Sequence, residues 1–284
     1  MLLLHLNSHF PSLASSSPSA KPRLTLLPSN CHPSSPKRSI PSSLVQSLSF
    51  GILPRHFREK WGHLMEESKE AESKVSKFPV HLIQAVVASE DQRFFYHLGV
   101  DPHGIARAVI RYPNGGGGST ITQQLVKGVF LSSERKISRK FVEGILSLIL
   151  ERRLSKSQIL YSYLSKMYWG HGKFGIESAS MFYFGKHPSF LTVGEAALLA
   201  GILPAPEILN PFTDPERGKA SQRRVLRRMV AAGFLEMESA LLIASQPLYL
   251  CNKGVKFNIK QGKTVNGTIL SPTIQDLEQA GSTI

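Results

Sequence analysis

Beyond residue 55 the chain repeats apolar positions mostly with a helical period, and few segments favour strands. The segment 79–91 begins at Pro79, a residue suited to the first turn of a helix. Its apolar residues share one side: Leu82, Ile83, Val86 and Val87. Glu90 and Asp91 lie at the carboxyl end, where the helix dipole disfavours acids, so they hint at a functional role.

A longer helix is predicted over 133–154, with apolar residues on one side at Ile137, Phe141, Ile145, Leu148 and Ile149. Further helices are predicted over 103–110, from about 120, and over 156–167, 176–184, 192–203, 215–232 and 236–245. We find neither an alternating pattern long enough for a sheet nor an internal repeat. The sequence therefore predicts a mainly helical protein.

The first 58 residues are rich in Ser and Pro and contain no acidic residue. Their basic residues are Lys21, Arg23, Lys37, Arg38, Arg55 and Arg58. This composition is typical of an organellar transit peptide, with a merely disordered tail as the alternative. We expect residues 1–58 to be a transit peptide, 59–250 to form the folded domain, and 251–284 to be an irregular tail.

The chain has 34 Lys and Arg against 20 Asp and Glu. Without the first 58 residues, 34 − 6 = 28 basic residues remain, a net charge of about +8. This excess favours an anionic partner, whether nucleic acid, a membrane surface or a phosphorylated ligand. The two cysteines are Cys31, which lies in the first 58 residues, and Cys251. We therefore expect no structural disulfide. No stretch reaches the roughly 18 apolar residues of a membrane span.

The sequence EDQRFFYHLG places Glu90 and Asp91 close to Phe94 and His97. A carboxylate beside an aromatic wall can have its pKa raised toward the value that a general base needs. An ordinary helix end with two solvated acids is the alternative interpretation. Burial and hydrogen bonding decide between the two.

The glycine run in the sequence GGGGSTITQQLVKG has three possible interpretations: a linker, a phosphate cradle or the mobile edge of a site. It lacks the residue order of a nucleotide P-loop, because the hydroxyl residues precede the lysine. A flexible loop that carries hydroxyls, amides and a lysine would suit a ligand rich in phosphate or sugar oxygens. Alternatively, Ser119 or Thr120 caps an ordinary helix. The candidate ligand-binding residues are Ser119, Thr120, Gln123, Gln124 and Lys127.

The sequence RKFVE brings Arg139, Lys140 and Glu143 onto one face of the 133–154 helix. Such a group can bind an anion while it keeps the glutamate ionised, although basic helix faces are more often simply solvated or ion-paired. In the later aromatic and glycine-rich region, Asn210 before Pro211 is a further polar candidate. No cysteines or histidines have the spacing of metal ligands, so no metal ligand is assigned.

The order and spacing of these motifs closely resemble the peptidoglycan glycosyltransferases, found alone or at the front of class A penicillin-binding proteins. The matching stretches are EDQRFFYHLG, GGGSTITQQ, RKFVE, ILYSYLSKMYWG and GIESASMFYFGK, within about residues 75–235. The resemblance implies a mainly helical, lysozyme-like, two-lobed fold around a central cleft. It also implies polymerisation of lipid II at a membrane surface, with no nucleic acid involved.

Matched position by position, the resemblance implies that Glu90 is the general base for the acceptor GlcNAc 4-hydroxyl. Asp91 would support Glu90, and Glu143 would help to place the donor pyrophosphate or a divalent cation, Mg²⁺ or Mn²⁺, bound to it. The charge of the pyrophosphate would be neutralised by Lys127, Arg139 and Lys140. Contacts to the sugars and phosphates would come from Ser119, Gln123 and Gln124.

The sequence departs from the family pattern at two positions. Gly128 and Ser165 stand where the family usually has asparagine. A catalytically inactive lipid II-binding or scaffold protein of the same fold is therefore an alternative. A lysozyme-like glycoside hydrolase would also use a glutamate, but would not need the basic helix.

The predicted transit peptide adds an expected location, the plastid, with the protein peripheral to a membrane there. A membrane-anchored partner could supply the attachment. A nucleic-acid-binding module would explain the charge but not the paired acids, and none of the known binding motifs is present.

Overall fold

Helices form most of the secondary structure in this computed structural model, which describes residues 56–110, 117–131, 137–252, 255–260 and 263–265. All of these residues belong to one unit of the chain, Ser43–Ile284. The helices are α1 Phe57–Glu67, α2 Ala71–Val75, α3 Val80–Glu90, α4 Pro102–Ile110, α5 Ile121–Phe130, α6 Ile137–Glu151, α7 Lys156–Lys166, α8 Ile176–Phe184, α9 Val193–Ile202, α10 Pro215–Ala231 and α11 Met237–Ser245. The prediction of a mainly helical protein is confirmed.

Three short 3₁₀ segments join these helices, at Ser68–Glu70, Phe94–Tyr96 and Pro188–Phe190. The predicted helix ends agree with the structure to within a few residues. Helix α3 starts after Pro79, as predicted, and ends at Glu90, with Asp91 as its C-cap. The start predicted for the 133–154 helix and the glycines before Gly117 lie outside the described residues. The division into two lobes around a cleft stays a prediction.

Helix α9 is the central helix of the core, because it is apolar on every side and buried from Ala196 to Ile202. It packs against α3, α10 and α11. Gly201 lets α10 approach closely, since a Cβ atom there would lie 2.6 Å from Ser221 Oγ. The close packing fixes the end of α3, which carries Glu90.

A second group of helices packs around α5, which contacts α1, α6 and α7. The core-facing side of α6 consists of Val142, Leu146 and Leu150. The apolar residues Phe141, Ile145 and Leu148 of the same helix are exposed instead. The stripe seen in the sequence is therefore largely a surface feature. In the described residues, no helix is both long enough and apolar enough to cross a bilayer.

The sequence shows no alternating pattern long enough to predict a sheet, but the structure contains a small one. Strands β1 Leu248–Asn252, β2 Val255–Lys260 and β3 Lys263–Val265 form an antiparallel sheet in the order β1-β2-β3. The register pairs Leu250 with Phe257 and Ile259 with Thr264. The strands are short, so none has more than three apolar positions at alternate residues. The described residues beyond 251 are thus part of a sheet and not an irregular tail.

Candidate functional site

Glu90, the last residue of α3, has a half-buried side chain next to α5. Gln124 Nε2 donates a hydrogen bond to Glu90 Oε2 at 2.9 Å, and Ser89 Oγ donates one to Oε1 at 3.2 Å. Burial raises the pKa of Glu90, and this effect exceeds the lowering by the two hydrogen bonds and by the charge of Arg228. Glu90 therefore holds a proton more readily than an ordinary glutamate.

Asp91 is buried and has a different environment from Glu90. His97 Nε2 donates to both carboxylate oxygens, at 3.0 and 2.9 Å. The backbone N–H of Ile121, the first residue of α5, donates to Asp91 Oδ2 at 3.0 Å. Asp91 thus joins the end of α3 to the start of α5, and its oxygens are committed to contacts within the protein.

A partly buried polar network extends this connection to two more helices. Lys156 Nζ, at the start of α7, donates to the His97 carbonyl oxygen at 2.6 Å and to Glu151 Oε1 at 2.8 Å. Thr122 Oγ1 of α5 donates to the same Glu151 oxygen at 2.6 Å. Glu151 is the last residue of α6. This network runs from Asp91 to Thr122 beside Glu90. It therefore joins the ends of four helices: α3, α5, α6 and α7.

Thr120 and Gln123 form a capping box at the start of α5. Thr120 Oγ1 accepts a hydrogen bond from the Gln123 N–H at 3.1 Å, and Gln123 Oε1 accepts one from the Thr120 N–H at 3.1 Å. Thr120 Oγ1 also donates to the Gly99 carbonyl oxygen at 2.6 Å. The interpretation of Thr120 as a helix cap is confirmed, and both side chains are buried within the protein.

Glu143 is only 1% exposed and lies between two cations on α6. Arg139 Nε lies 3.3 Å from Glu143 Oε1, and Lys140 Nζ donates to Oε2 at 2.7 Å. The predicted convergence of these three side chains on one helix face is confirmed. Lys140 Nζ also donates to Ser119 Oγ at 2.6 Å, so the cluster reaches the loop before α5.

A pocket connects Glu90 with this loop. It is lined by Glu90, Asp91, Gln92, Arg93, Asp101, Gly104, Arg107, Gly117, Gly118, Ser119 and Thr120. Ser119 is thus shared between the pocket and the cluster of Glu143, Arg139 and Lys140. The Gly117–Thr120 segment thus adjoins both the pocket that Glu90 lines and the basic cluster.

The remaining candidates from the sequence lie in three different environments. Phe94 is fully buried, with Lys156 Nζ 4.4 Å from the centre of its ring. Lys127 is exposed on α5, one helical turn beyond Gln124. Asn210 is fully buried, and its Oδ1 accepts the Phe212 N–H at 2.9 Å in the turn before α10. Phe94 therefore contributes to packing, and Asn210 stabilises a turn.

Two residues near Glu90 were not identified from the sequence. Arg228 Nη1 donates to the Ser89 carbonyl oxygen at 2.6 Å, and its charge lowers the pKa of Glu90. The arginine-rich sequence SQRRVLRRM indicated such a residue but did not fix which arginine it is. Tyr163 OH donates to Gln124 Oε1 at 3.1 Å, so it orients the amide that binds Glu90. The hydroxyl of a buried tyrosine usually has a hydrogen-bond partner. A tyrosine in the apolar pattern of α7 could therefore have indicated a polar contact for Tyr163.

A divalent cation does not fit the described side chains by themselves. No group of three or more His, Cys, Asp and Glu residues in the described part of the chain is arranged to hold a metal ion. Glu143, the acid assigned by resemblance to the pyrophosphate, already contacts Arg139 and Lys140. The ligands of any such cation would have to come mainly from a bound pyrophosphate.

The chain is similar in sequence to penicillin-binding protein 1A of several bacteria. Penicillin-binding protein 1A of Aquifex aeolicus is 43% identical over 178 residues, which are 61% of this chain and 24% of that protein. Penicillin-binding protein 1A of Neisseria flavescens is 43% identical over 176 residues, 61% of this chain and 22% of that protein. Penicillin-binding protein 1A of Haemophilus influenzae is 38% identical over 198 residues, which are 68% of this chain and 23% of that protein.

The chain spans about a quarter of the length of these relatives. A crystal structure of penicillin-binding protein 1A from Haemophilus influenzae aligns with 46% of this chain and 16% of that chain, at 23% identity. Its TM-score of 0.31 is too low to support an argument about the fold. The family model described as Transglycosylase matches residues 58–230, more than half of the 284 residues. The chain therefore belongs to the transglycosylase family, the peptidoglycan glycosyltransferases.

Proposed function

We propose that this protein polymerises lipid II into glycan strands. The observation that carries the proposal is the environment of Glu90, a half-buried carboxylate of raised pKa in a pocket that adjoins the basic cluster of Arg139 and Lys140. A glycosyl transfer from a pyrophosphate donor needs both features. One group must take a proton from the acceptor, and positive charge must stabilise the departing pyrophosphate.

In the proposed reaction, Glu90 takes the proton of the acceptor GlcNAc 4-hydroxyl while that oxygen attacks the anomeric carbon of the donor. The bond from the anomeric carbon to the lipid pyrophosphate breaks, and the pyrophosphate leaves with the bonding electrons. A raised pKa makes the Glu90 carboxylate a stronger base. Gln124, fixed by Tyr163, holds this carboxylate in one orientation.

The departing charge would be neutralised by Lys140, Arg139 and Lys127. Lys140 is half-exposed and binds Ser119 Oγ, so an incoming phosphate oxygen can replace that hydroxyl without breaking the pair with Glu143. Glu143 keeps the two cations in place. We infer that Ser119 and Gln124 contact substrate, whereas Gln123 acts through the cap of α5.

The exposed apolar surface supports attachment to a membrane. Gly99 lies against Ser147, and Val100 lies against Gly144, so segment 96–110 adjoins α6. The exposed apolar side chains of these two regions are Tyr96, Leu98, Ile105, Val109, Ile110, Phe141, Ile145 and Leu148. A surface of this kind is typical of a membrane or protein contact. We propose that it enters the interface of the bilayer that carries lipid II, and that Val109→Asp with Phe141→Asp weakens sedimentation with lipid vesicles.

The test of the function is polymerisation of labelled lipid II by the full chain in detergent, with Glu90→Gln in parallel. Parallel reactions with Mg²⁺, Mn²⁺ or a chelator test the proposed cation, which would be held by the substrate. Polymer from the parent protein and none from Glu90→Gln is the expected result. An active, folded Glu90→Gln variant would refute the role of Glu90.

The second candidate function is lipid II binding without catalysis, which the Gly128 and Ser165 departures favour. A side chain at Gly128 would meet only the flexible end of Met167, at 3.2 Å, so asparagine can be introduced there. If the parent protein binds lipid II but makes no polymer, the variant with Gly128→Asn and Ser165→Asn tests whether these changes cost the activity. Polymer from that variant alone would support the binding function for the natural sequence.

We also propose that the protein acts in plastids, on the composition of residues 1–58. Its relatives named above are bacterial proteins. Import of the labelled full chain into isolated plastids, with shortening of the chain on entry, is the expected result. Equal import of a variant in which the six basic residues of this segment are replaced by glutamine would contradict the proposal.

A further inference from the structure

Arg228, in the last turn of α10, reaches the end of α3. Its Nη1 donates a hydrogen bond of 2.6 Å to the carbonyl oxygen of Ser89. The two residues are 139 positions apart, so this contact depends on the packing of α10 against α3. Ser89 directly precedes Glu90, the base of the proposed reaction. Arg228 therefore binds the backbone one residue away from the carboxylate that takes the proton.

Helix α10 holds Arg228 in place through its buried side. Gln222 Nε2 of α10 donates a hydrogen bond of 2.8 Å to the Gly194 carbonyl oxygen of α9. A rotation of α10 that moved Arg228 away from α3 would break this bond and expose apolar side chains to water. The apolar side chains buried on this part of α10 are Val225, Leu226 and Met229. Although Arg228 itself is exposed, the helix that carries it is fixed.

The Ser89 carbonyl lies in the last turn of α3, where carbonyl oxygens lack a partner within the helix. These carbonyls form the negative end of the helix dipole, so a nearby cation is favourable. Helix α3 has no basic residue in its own last turn and ends in two acids, Glu90 and Asp91. Arg228 supplies the cation from α10. It thus offsets the unfavourable position of the acids at this helix end.

Arg228 also acts on the charge of Glu90. Burial raises the pKa of Glu90, and the negative charge of Asp91 adds a smaller increase. Hydrogen bonds from Gln124 and Ser89 lower this pKa, and so does the positive charge of Arg228. No carboxylate forms an ion pair with Arg228 within the described ranges of the chain, so no acid there offsets its charge. The guanidinium therefore favours the ionised form of Glu90.

Other titratable groups near Glu90 belong to α7 and to the pocket. Burial raises the pKa of Tyr163 of α7 well above its ordinary value, so this hydroxyl stays neutral. In the pocket, Arg93 Nε lies 3.4 Å from Asp101 Oδ1, so an acid offsets the charge of this arginine. Arg107 lines the same pocket but is exposed to solvent, which screens its charge. These groups leave Arg228 as the cation that acts on Glu90 from the end of its own helix.

We propose that Arg228 is a positioning residue of the reaction, which fixes the end of α3 and keeps Glu90 ionised over a wider range of pH. This inference rests on the proposed function, in which Glu90 is the general base. A carboxylate accepts a proton only in its ionised form, and burial beside α5 opposes that form. Arg228 counteracts this effect without contact to the substrate or to the reacting atoms.

The first test is a pH titration of the Glu90 carboxyl group by ¹³C NMR, in the full chain labelled at the side-chain carboxyl carbon of glutamate. The signal that is missing in Glu90→Gln identifies Glu90. Arg228→Gln loses the positive charge but keeps a donor for the Ser89 carbonyl, and in this variant the pKa of Glu90 should be higher than in the parent. Arg228→Lys keeps the charge, so its Glu90 should titrate closer to the parent than that of Arg228→Gln.

The matched control is Arg227→Gln. Arg227 is exposed on the same turn of α10 and carries the same charge, but it is not among the groups that shift the pKa of Glu90. Glu90 should titrate in this variant as in the parent. A Glu90 pKa that is unchanged in Arg228→Gln, or raised equally in Arg227→Gln or Arg228→Lys, would overturn the inference. Thermal unfolding of each variant checks that it is folded, as expected for replacement of an exposed side chain.

A second measurement, the pH profile of lipid II polymerisation, distinguishes failure of the inference from failure of the proposed function. Relative to the alkaline plateau, Arg228→Gln should lose roughly two- to fivefold more activity on the acid limb, the size expected for one partly exposed charge. A merely structural role would lower the rate by the same factor at every pH, and that result would refute the inference alone. A Glu90 pKa that depends on Arg228 in a folded parent that makes no polymer would refute the function alone.

Discussion

The neighbouring carboxylates of Glu90 and Asp91 should respond in opposite ways when each loses its charge. Glu90→Gln should abolish polymerisation and leave the fold at least as stable as in the parent protein. Asp91→Asn should destabilise the fold and affect activity only through position. The reason is that Glu90 is held in an environment that raises its pKa, whereas Asp91 joins two helix ends.

The size of each effect follows from the contacts. Asp91 accepts from two buried donors, the His97 ring and the Ile121 N–H. An asparagine oxygen in the place of Oδ2 can still accept from both donors, but its N–H₂ group then takes the place of Oδ1, 3.0 Å from the donor His97 Nε2, and the negative charge is lost. Hydrogen bonds to charged groups contribute about 1.5–3 kcal/mol each, so Asp91→Asn should lower the free energy of unfolding by about 2–3 kcal/mol.

For Glu90 the sign of the effect is reversed. The folded protein binds the Glu90 proton more tightly than the unfolded chain, in which the pKa is near 4.5. The stability that this proton contributes is present below pH 4.5 and is lost as the pH rises through the raised pKa. At neutral pH the charged form therefore opposes folding, and Glu90→Gln removes this unfavourable contribution. Polymerisation should fall roughly 10²–10⁴-fold, the usual contribution of a general base, which leaves no visible polymer in the assay.

The assay is urea denaturation of the parent and both variants, followed by circular dichroism at pH 7 and pH 4. Lipid II polymerisation is measured on the same samples. The stability advantage of Glu90→Gln should be present at pH 7 and disappear at pH 4. A Glu90→Gln variant that is destabilised as much as Asp91→Asn would refute this reasoning. So would an Asp91→Asn variant that keeps the parent stability but loses all activity.

Three further predictions concern α5, α10 and α6. Gln124→Met removes a hydrogen bond that lowers the pKa of Glu90, so the acid limb of the pH profile of polymerisation should move to higher pH; an unchanged limb would contradict the contact. Burial lowers the pKa of Lys219 from 10.5 to about 8, so its charge opposes folding below pH 8. Between pH 8 and 10.5 the parent should gain about 3 kcal/mol relative to Lys219→Met in urea denaturation, since 2.5 pKa units at 1.36 kcal/mol each give that value. Glu143→Gln should lower the free energy of unfolding by about 1–3 kcal/mol, because it leaves two neighbouring cations without their acid; a neutral effect would mean that solvent already screens the cluster.

The helices could be predicted from the sequence because their signals are local. Pro79 before α3 and the Thr120–Gln123 pair at the start of α5 act within one turn of chain. The face that α6 turns to the core could not be predicted in the same way. Both Phe141 and Val142 belong to apolar stripes, and only the packing of α5 decides which stripe is buried.

The site was predicted in part for the same reason. Arg139, Lys140 and Glu143 meet because they are three and four residues apart on one helix. The contact between Arg228 and the end of α3 joins residues 139 positions apart, and no local pattern specifies it. The sheet was missed because its strands are only three to six residues long, and pairing between strands, not periodicity within each one, stabilises them.

The polar network from Asp91 to Thr122 has a consequence for how the protein opens. A few buried side chains tie together the ends of α3, α5, α6 and α7. Breaking the bond from Ile121 N–H to Asp91, or from Thr122 to Glu151, leaves its donor without the partner it has in the network, so the other bonds become easier to break. These four helix ends should therefore exchange their amide hydrogens as one cooperative unit, at one common free energy of opening.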